Sequence, residues 1–350
     1  MFRISILLLV LGSPALADRP PQYWSLASGS HIAYVHYPAA SPAKPTPVVF
    51  LHGGPGSYSV DHPAVVERYY ESLAKLGFDV YIYDQIGSGR SARLGDPREY
   101  TVDRHIRDLE AIRKSIGAKK LILIGDSWGA TLAANYMAEH PDRCAKVIFS
   151  GPGLMESSSA PSTYPDAPMT QSAEAFFARI YSRYPNLQRL IETDPLSAHR
   201  AAPDNEMDPQ LDALVQSSLP YIVCDPRKLP ADSNIQGMGW WVNTMVALDL
   251  SRHPHQIADK LKRNHTPVLI LRGGCDYLRW EVAYQYKQTF PNSKLIYVPK
   301  AGHAFGFDQP EIYTSAVKAF LLDQPLPVAP YTSSAEPPRV LPSESFREGK

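Results

Sequence analysis

Lys119-Lys-Leu-Ile-Leu-Ile-Gly-Asp-Ser-Trp-Gly-Ala130 decides the fold of this 350-residue chain. Its apolar, β-branched run reads as a strand, and the helix-compatible run from Ala130 to His140 follows directly. Between them stands Gly125-Asp-Ser-Trp-Gly129, a G-x-S-x-G pattern. Alone the pattern is weak, because any glycine-bracketed loop serine matches it. Between a strand and a helix it reads as a nucleophile elbow, a turn so tight that the neighbours of the serine must lack side chains. The serine sits strained in such a turn, with its Oγ directed outward.

Working outward, the same alternation recurs. Gln22 to Ala27 and His31 to His36 form two alternating runs split by Ser28-Gly-Ser30, a hairpin signal. Pro47-Val-Val-Phe-Leu51 is continuously apolar, as expected of a strand buried on both faces, and ends at His52-Gly-Gly-Pro-Gly56. A helix over 64–76 precedes a strand over 78–83, which ends in Asp84-Gln-Ile-Gly-Ser-Gly-Arg-Ser91. Thr101 caps a helix whose apolar face is Val102, Ile106, Leu109, Ile112 and Ile116, with Gly117 closing it. Cys144 to Ser150 is a further strand. Such alternation predicts a mostly parallel, doubly wound α/β sheet. Residues 154–260 break the pattern with proline-punctuated helical pieces, a helical cap insertion. Alternation resumes at Thr266–Arg272, with a helix over 281–289, a strand over 294–299 and a final helix to Leu322. The catalytic domain is therefore expected over 18–153 and 261–323, and 324–350 reads as a disordered tail rich in proline and serine.

Composition narrows the function. The 35 basic residues balance the 35 acidic ones, so nothing points to nucleic acid or an anionic membrane as partner. Residues 1–17 read as an export signal: Arg3, the apolar Ile4–Leu11, and a cleavage site at Ala15-Leu-Ala17 that would leave Asp18 first. An uncleaved anchor is the alternative, but the apolar run is short for a bilayer. This predicts an exported, periplasmic or secreted protein. Of three cysteines, Cys144 lies at the edge of an apolar strand and reads as a buried small hydrophobe, so Cys224–Cys275 is the preferred disulfide. No cysteine or histidine spacing suggests zinc, and Gly87–Ser91 lacks the lysine of a phosphate loop, so no cofactor is expected. The sequence sets no oligomeric state.

A serine nucleophile needs a base, an orienter for the base, and donors for the oxyanion. Of eleven histidines, His303 follows the last expected strand, in Ala301-Gly-His-Ala304, and is the candidate base. Asp276 ends Gly273-Gly-Cys-Asp276 right after the preceding strand and is the candidate acid, which preserves the order serine, acid, histidine. Asp308 is its rival but reads as a cap for the final helix, with Pro310 in the first turn. Asp84 precedes the serine and reads as structural. The N–H groups of Trp128 and of Gly53 or Gly54 are the candidate oxyanion hole. Trp240 and Trp241, with Met238 and Met245, either line a substrate pocket or form the core of the cap.

Together, His52-Gly-Gly-Pro-Gly56, Asp84-Gln-Ile-Gly-Ser-Gly-Arg-Ser91, Gly125-Asp-Ser-Trp-Gly-Ala130 and Gly302-His303 resemble the prolyl aminopeptidase (proline iminopeptidase) family of α/β-hydrolases over about residues 45–153 and 262–323. The resemblance implies an α/β-hydrolase fold with a helical cap, a triad of Ser127, Asp276 and His303, and oxyanion donors at Trp128 and Gly53 or Gly54. It implies release of N-terminal proline from small peptides, with a small-ester or lactone hydrolase as the alternative. Two departures stand out. The family holds the free amine of its substrate with cap glutamates, one of them in a Trp-Glu pair, where this chain has Trp240-Trp-Val-Asn243. Its Asp-Gln-Arg-Gly is here Asp84-Gln-Ile-Gly87.

Overall fold

The computed structural model describes residues 19–61, 64–156, 161–231, 233–253 and 256–340; the expected export signal and the last ten residues lie outside them. Strands β1 (Gln22–Ser25) and β2 (His31–Tyr37) make the expected hairpin. β3 (Val48–Leu51), β4 (Val80–Tyr83), β5 (Leu121–Asp126), β6 (Cys144–Ser150), β7 (Val268–Gly273) and β8 (Ser293–Val298) complete one sheet, ordered β1-β2-β4-β3-β5-β6-β7-β8. β1, β2 and β4 pair antiparallel, and every pairing from β4 to β8 is parallel.

Strand parity shows why the central strands are apolar throughout. On β5, Leu121 and Leu123 join one buried cluster and Ile122 and Ile124 the opposite one. Helices α2 (Val102–Ser115), α3 (Trp128–Glu139) and, later in the chain, one over Trp280–Thr289 cover the first face. Helix α1 (Ala64–Ala74) and the last helix, Pro310–Leu321, cover the second. Thr101 caps α2 as expected, its hydroxyl accepting from Arg104 N–H at 3.1 Å.

Between β6 and β7 the described residues form α4 (Pro168–Arg183), α5 (Leu187–Thr193), α6 (Pro195–Ala201), α7 (Asp204–Ser218), α8 (Trp240–Arg252) and α9 (Ala258–Leu261). α10 (Trp280–Thr289) lies between β7 and β8, and α11 (Phe305–Asp308) and α12 (Pro310–Leu321) follow β8. Trp240 and Trp241 open α8 and are both 0% exposed. Trp240 packs 5.6 Å from the Phe177 ring, and Trp241 donates its indole N–H to Ala202 C=O at 2.8 Å. The reading of these two tryptophans as substrate contacts is therefore corrected: they are the core of the cap.

Bonds from several loops tie the cap to the sheet. Gly239 N–H donates to Gly56 C=O, and Asn243 Nδ2 to Pro55 C=O, both at 2.7 Å. Cys224 and Cys275 form the disulfide, and Cys144 is buried and free. Asp308 departs from the expected role: Gln309, not Asp308, holds the N-cap position of α12. Its carboxylate instead accepts N–H groups from Cys224 (2.7 Å), Asp225 (3.0 Å) and Gly302 (2.7 Å), joining a cap loop to the loop that carries His303.

The tail also departs from expectation as far as Val340. It forms no helix or strand there, but Tyr331 N–H donates to Leu295 C=O at 2.7 Å and the Tyr331 ring packs on Trp280. Arg339 pairs with Asp166 at 2.8 Å, Tyr164 bonds Glu336, and Val340 N–H reaches Gly274 C=O at 3.1 Å. Isolated side-chain and backbone anchors on the cap and the sheet replace the periodic apolar pattern that would have announced order.

Because Trp241 is core and not pocket, W241A should lower the stability of the protein by about 3–5 kcal/mol. Urea unfolding monitored by circular dichroism measures that loss. The folded fraction of the variant should keep a KM close to that of the unmodified protein for any substrate turned over.

Candidate active site

Ser127 joins the end of β5 to the start of α3 at φ 55°, ψ −118°, a left-handed conformation that is rare for a residue with a side chain. Close packing enforces it. A Cβ at Gly129 would lie 2.0 Å from Leu51 O, and one at Gly125 2.5 Å from Gly129 O, so strand and helix cross where only glycine fits. Ser127 N–H donates to Ser150 C=O, and Gly153 N–H to Ser127 C=O, both at 3.0 Å. The β6 exit therefore holds the elbow from below.

The same exit segment reaches the candidate base. A Cβ at Gly151 would stand 3.1 Å from His303 Nδ1, which places the imidazole against Gly151. His303 Nδ1 bonds Asp276 Oδ1 at 3.0 Å, and Leu278 N–H donates to the same oxygen at 3.0 Å. With Nδ1 engaged, Nε2 is the nitrogen left for a serine. The structure thus pairs Asp276 with His303 and sets His303 against Gly151, next to Ser150, which bonds the Ser127 backbone.

Behind the acid lies a residue that sequence reasoning missed. Arg272 Nη1 stands 2.6 Å from Asp276 Oδ2, an ion pair without hydrogen-bond alignment, and Arg272 Nη2 donates to Leu278 C=O at 2.6 Å. Both charged groups are buried. Burial would raise the Asp276 carboxyl, but the charges of Arg272 and His303 outweigh it and hold the pKa at about 2. Burial would lower His303, but the carboxylate of Asp276 outweighs it and lifts the imidazole above its ordinary value, against a smaller opposing effect of Arg272. An arginine ending an otherwise apolar strand, four residues before the acid, was the available signal.

On the other side of Ser127, three loops interlock. Gln85 N–H donates to His52 Nε2 at 2.9 Å, Gln85 Nε2 to His52 C=O at 3.0 Å, and the Trp128 indole N–H to Gln85 Oε1 at 2.8 Å. Accepting at Nε2 leaves His52 Nδ1 as the donor to Gly53 C=O at 2.9 Å. Burial depresses His52 to about 4, so it is a neutral structural histidine. This lattice sets Gly53 beside the serine: a Cβ there would lie 3.1 Å from Ser127 Cβ. At Gly54 a Cβ would meet Gly56 N and Ser57 N, and with φ 110° the glycine shapes the turn. Trp128 is the first residue of α3, where N–H groups have no partner within the helix. Asp84 is structural, accepting N–H groups from Ser59 (2.6 Å), Val60 (2.9 Å) and Arg90 (2.8 Å).

A cavity of about 780 Å³ opens beside Gly53 and Asp126, the two residues that flank Ser127. Phe50, Tyr70, Phe305 and Tyr313 supply its apolar wall, and the cap contributes Leu219, Ser233, Asn234 and Ile235. Neither Trp240 nor Trp241 reaches it. Asp126, hidden in the sequence as a variable position of G-x-S-x-G, is pushed up to about 6 by burial, against the opposing pull of His303 and a hydrogen bond with Ser150. Among the described residues, no group of three or more His, Cys, Asp or Glu side chains could hold a metal ion.

A sheet of this order, with a serine elbow after β5 and an acid–histidine pair after β7 and β8, defines a known class. Residues 46–310 match the family described as alpha/beta hydrolase fold. The chain belongs to that family and is a hydrolase of the α/β fold. It is similar to a probable proline iminopeptidase of Leptolyngbya boryana, 25% identical over 83% of this chain and 90% of that one. It is likewise similar to a proline iminopeptidase of Lactobacillus delbrueckii subsp. bulgaricus, 28% identical over 79% and 90%. Among solved structures, an esterase from Exiguobacterium antarcticum superposes with a TM-score of 0.56 at 18% identity, over 86% of this chain and 98% of that one. The proline iminopeptidase of Mycobacterium smegmatis gives 0.53 at 18%, over 87% and 98%.

Arg272 lowers the His303 pKa, so its removal should raise it. The acidic limb of kcat/KM, set by protonation of the free base, should move to higher pH in R272M. R272K should lie between R272M and the unmodified protein. Leaving Asp276 buried without its cation should also cost about 3–5 kcal/mol, measured by urea unfolding. A limb unmoved in R272M would show that Arg272 serves the fold alone.

Proposed function

We propose that the protein is an exported serine hydrolase that works through an acyl-enzyme on Ser127, and that it releases N-terminal proline or similar residues from small peptides. His303 Nε2 takes the Ser127 Oγ proton as the oxygen attacks the substrate carbonyl. The N–H groups of Trp128 and Gly53 receive the oxyanion. Asp276 holds the imidazole by Nδ1 and stabilises its cation, and the proton then passes to the leaving amine. Water, deprotonated by the same histidine, attacks the acyl-enzyme and frees Ser127. The observation that carries the reading is the 3.0 Å His303–Asp276 pair together with an elbow serine held at φ 55°. The names of the two relatives above, both proline iminopeptidases, support a peptide amine over an ester as the substrate.

A small-ester hydrolase is the second reading, and one observation favours it. Among the described residues, the cap contributes no carboxylate to the cavity wall, only Leu219, Ser233, Asn234 and Ile235.

S127A should cut kcat by about four to six orders of magnitude on any good substrate. Turnover of proline 4-nitroanilide, its N-acetyl form and 4-nitrophenyl acetate separates the readings. An aminopeptidase loses the acetylated amide, whereas equal turnover of the free and blocked amides leaves the ester reading.

Export rests on the N-terminal seventeen residues and accords with the Cys224–Cys275 bond. Intact-mass analysis of protein recovered from a secreting host should give a chain beginning at Asp18. A chain recovered only inside the cell and beginning at Met1 would refute it.

A further inference from the structure

The aminopeptidase reading needs an anion for the substrate ammonium, because a cation enters an apolar cavity only when paired. Among the described residues, the cap supplies none to the cavity wall. Glu174 and Glu192 are exposed on α4 and α5, away from the cavity wall. Glu206 bonds Tyr184 and faces Arg183. Asp208 is committed to Arg93 and Trp240 N–H, and Asp212 to the N–H groups of Gly237 and Met238.

The sheet side supplies two carboxylates to that wall. Asp61 is exposed and paired with Arg90 at 2.7 Å, and the wall's arginine, Arg68, is exposed as well. Asp126 differs from both. It is only partly exposed, sits one residue from the nucleophile, and its Oδ2 lies 3.6 Å from the Cβ position of Gly53, which itself stands 3.1 Å from Ser127 Cβ. A substrate whose carbonyl carbon meets Ser127 Oγ and whose oxygen points to Gly53 N–H carries its amine one carbon from that centre. The nearby wall is aromatic, with Phe305, Tyr70 and Tyr313, so the ammonium has little competing solvation.

We propose that Asp126, inside the Gly125-Asp-Ser-Trp-Gly129 turn, is the residue that receives the free amine of the substrate, a specificity role moved from the cap to the nucleophile elbow. The proposal rests on the aminopeptidase reading. Above pH 6 the Asp126 carboxylate is mostly ionised and ready for a cation. Its hydrogen bond with Ser150 holds it on the β6 side of the elbow.

The test is a ratio: kcat/KM for proline 4-nitroanilide divided by that for cyclopentanecarbonyl 4-nitroanilide, which replaces the ring NH by CH2. Asp126 also acts electrostatically on His303, so its removal changes both rates. The ratio, taken at one pH, cancels that common effect. The unmodified enzyme should favour the amine strongly, and D126N should lose that preference by about 30-fold or more, the consequence of truncating one partner of a desolvated charge pair. D126E should keep part of it. Labelling of Ser127 by a fluorophosphonate checks that each variant is folded and competent, and D126S carries the same expectation if D126N fails that check. A preference kept in D126N within about twofold would overturn the assignment while leaving the aminopeptidase reading intact. A ratio near one in the unmodified enzyme would overturn both.

Discussion

The crossing of β5 and α3 at Ser127 is the constraint on which the rest depends. The Gly125–Gly129 contact and the approach of Gly129 to Leu51 O leave no volume for a relaxed turn, so the serine is forced to φ 55°. Such strain persists only where the surroundings over-determine it. Here they do: Ser150 and Gly153 bond the serine backbone, and the Trp128 indole is pinned through Gln85 to His52. The bonds that hold the elbow are also the bonds that bring Gly53 beside it. Forming the elbow and setting Gly53 against Ser127 are one packing event.

Around that point, charge is arranged as a buried row. Arg272 faces Asp276, Asp276 faces His303, and His303 feels Asp126. Each group shifts the next. The arginine depresses the acid, the acid raises the imidazole, and the imidazole offsets part of the burial that raises Asp126. A lone buried charge would be costly, while alternating signs make the row tolerable without water. The proposed base therefore has one carboxylate at its Nδ1 and a second, differently placed, within electrostatic reach.

The cap is tied to this row at its far side. Asp308 draws the amides of Cys224 and Asp225 to that of Gly302, and Cys224 is bonded to Cys275, the neighbour of Asp276. Tail residues up to Val340 then fasten Asp166 of the cap region and Gly274 of the sheet from outside. Loops that carry the proposed acid and base are thus held by residues from three distant parts of the chain.

Local pattern alone determined much of this protein. The elbow, the hairpin, the capped α2, the alternation of strand and helix, and the placing of Asp276 and His303 at neighbouring strand ends were legible because each depends on neighbours within a few residues or on strand ends. Trp240 and Trp241 were not, since an apolar pair opening a helix looks the same whether it faces a core or a cavity. Asp308 misled because its three partners lie in two other loops, and the tail misled because its anchors are isolated side chains and backbone amides without periodicity. Arg272 and Asp126 went unread for the same reason: one ends an apolar strand, the other fills a variable slot, and only folding sets each against its charge partner or its cavity. Sequence specified which backbone turns could form, through steric and periodic rules that act locally. Tertiary structure decided which carboxylates line the cavity, because burial and Coulomb interaction depend on distances that no spacing along the chain encodes.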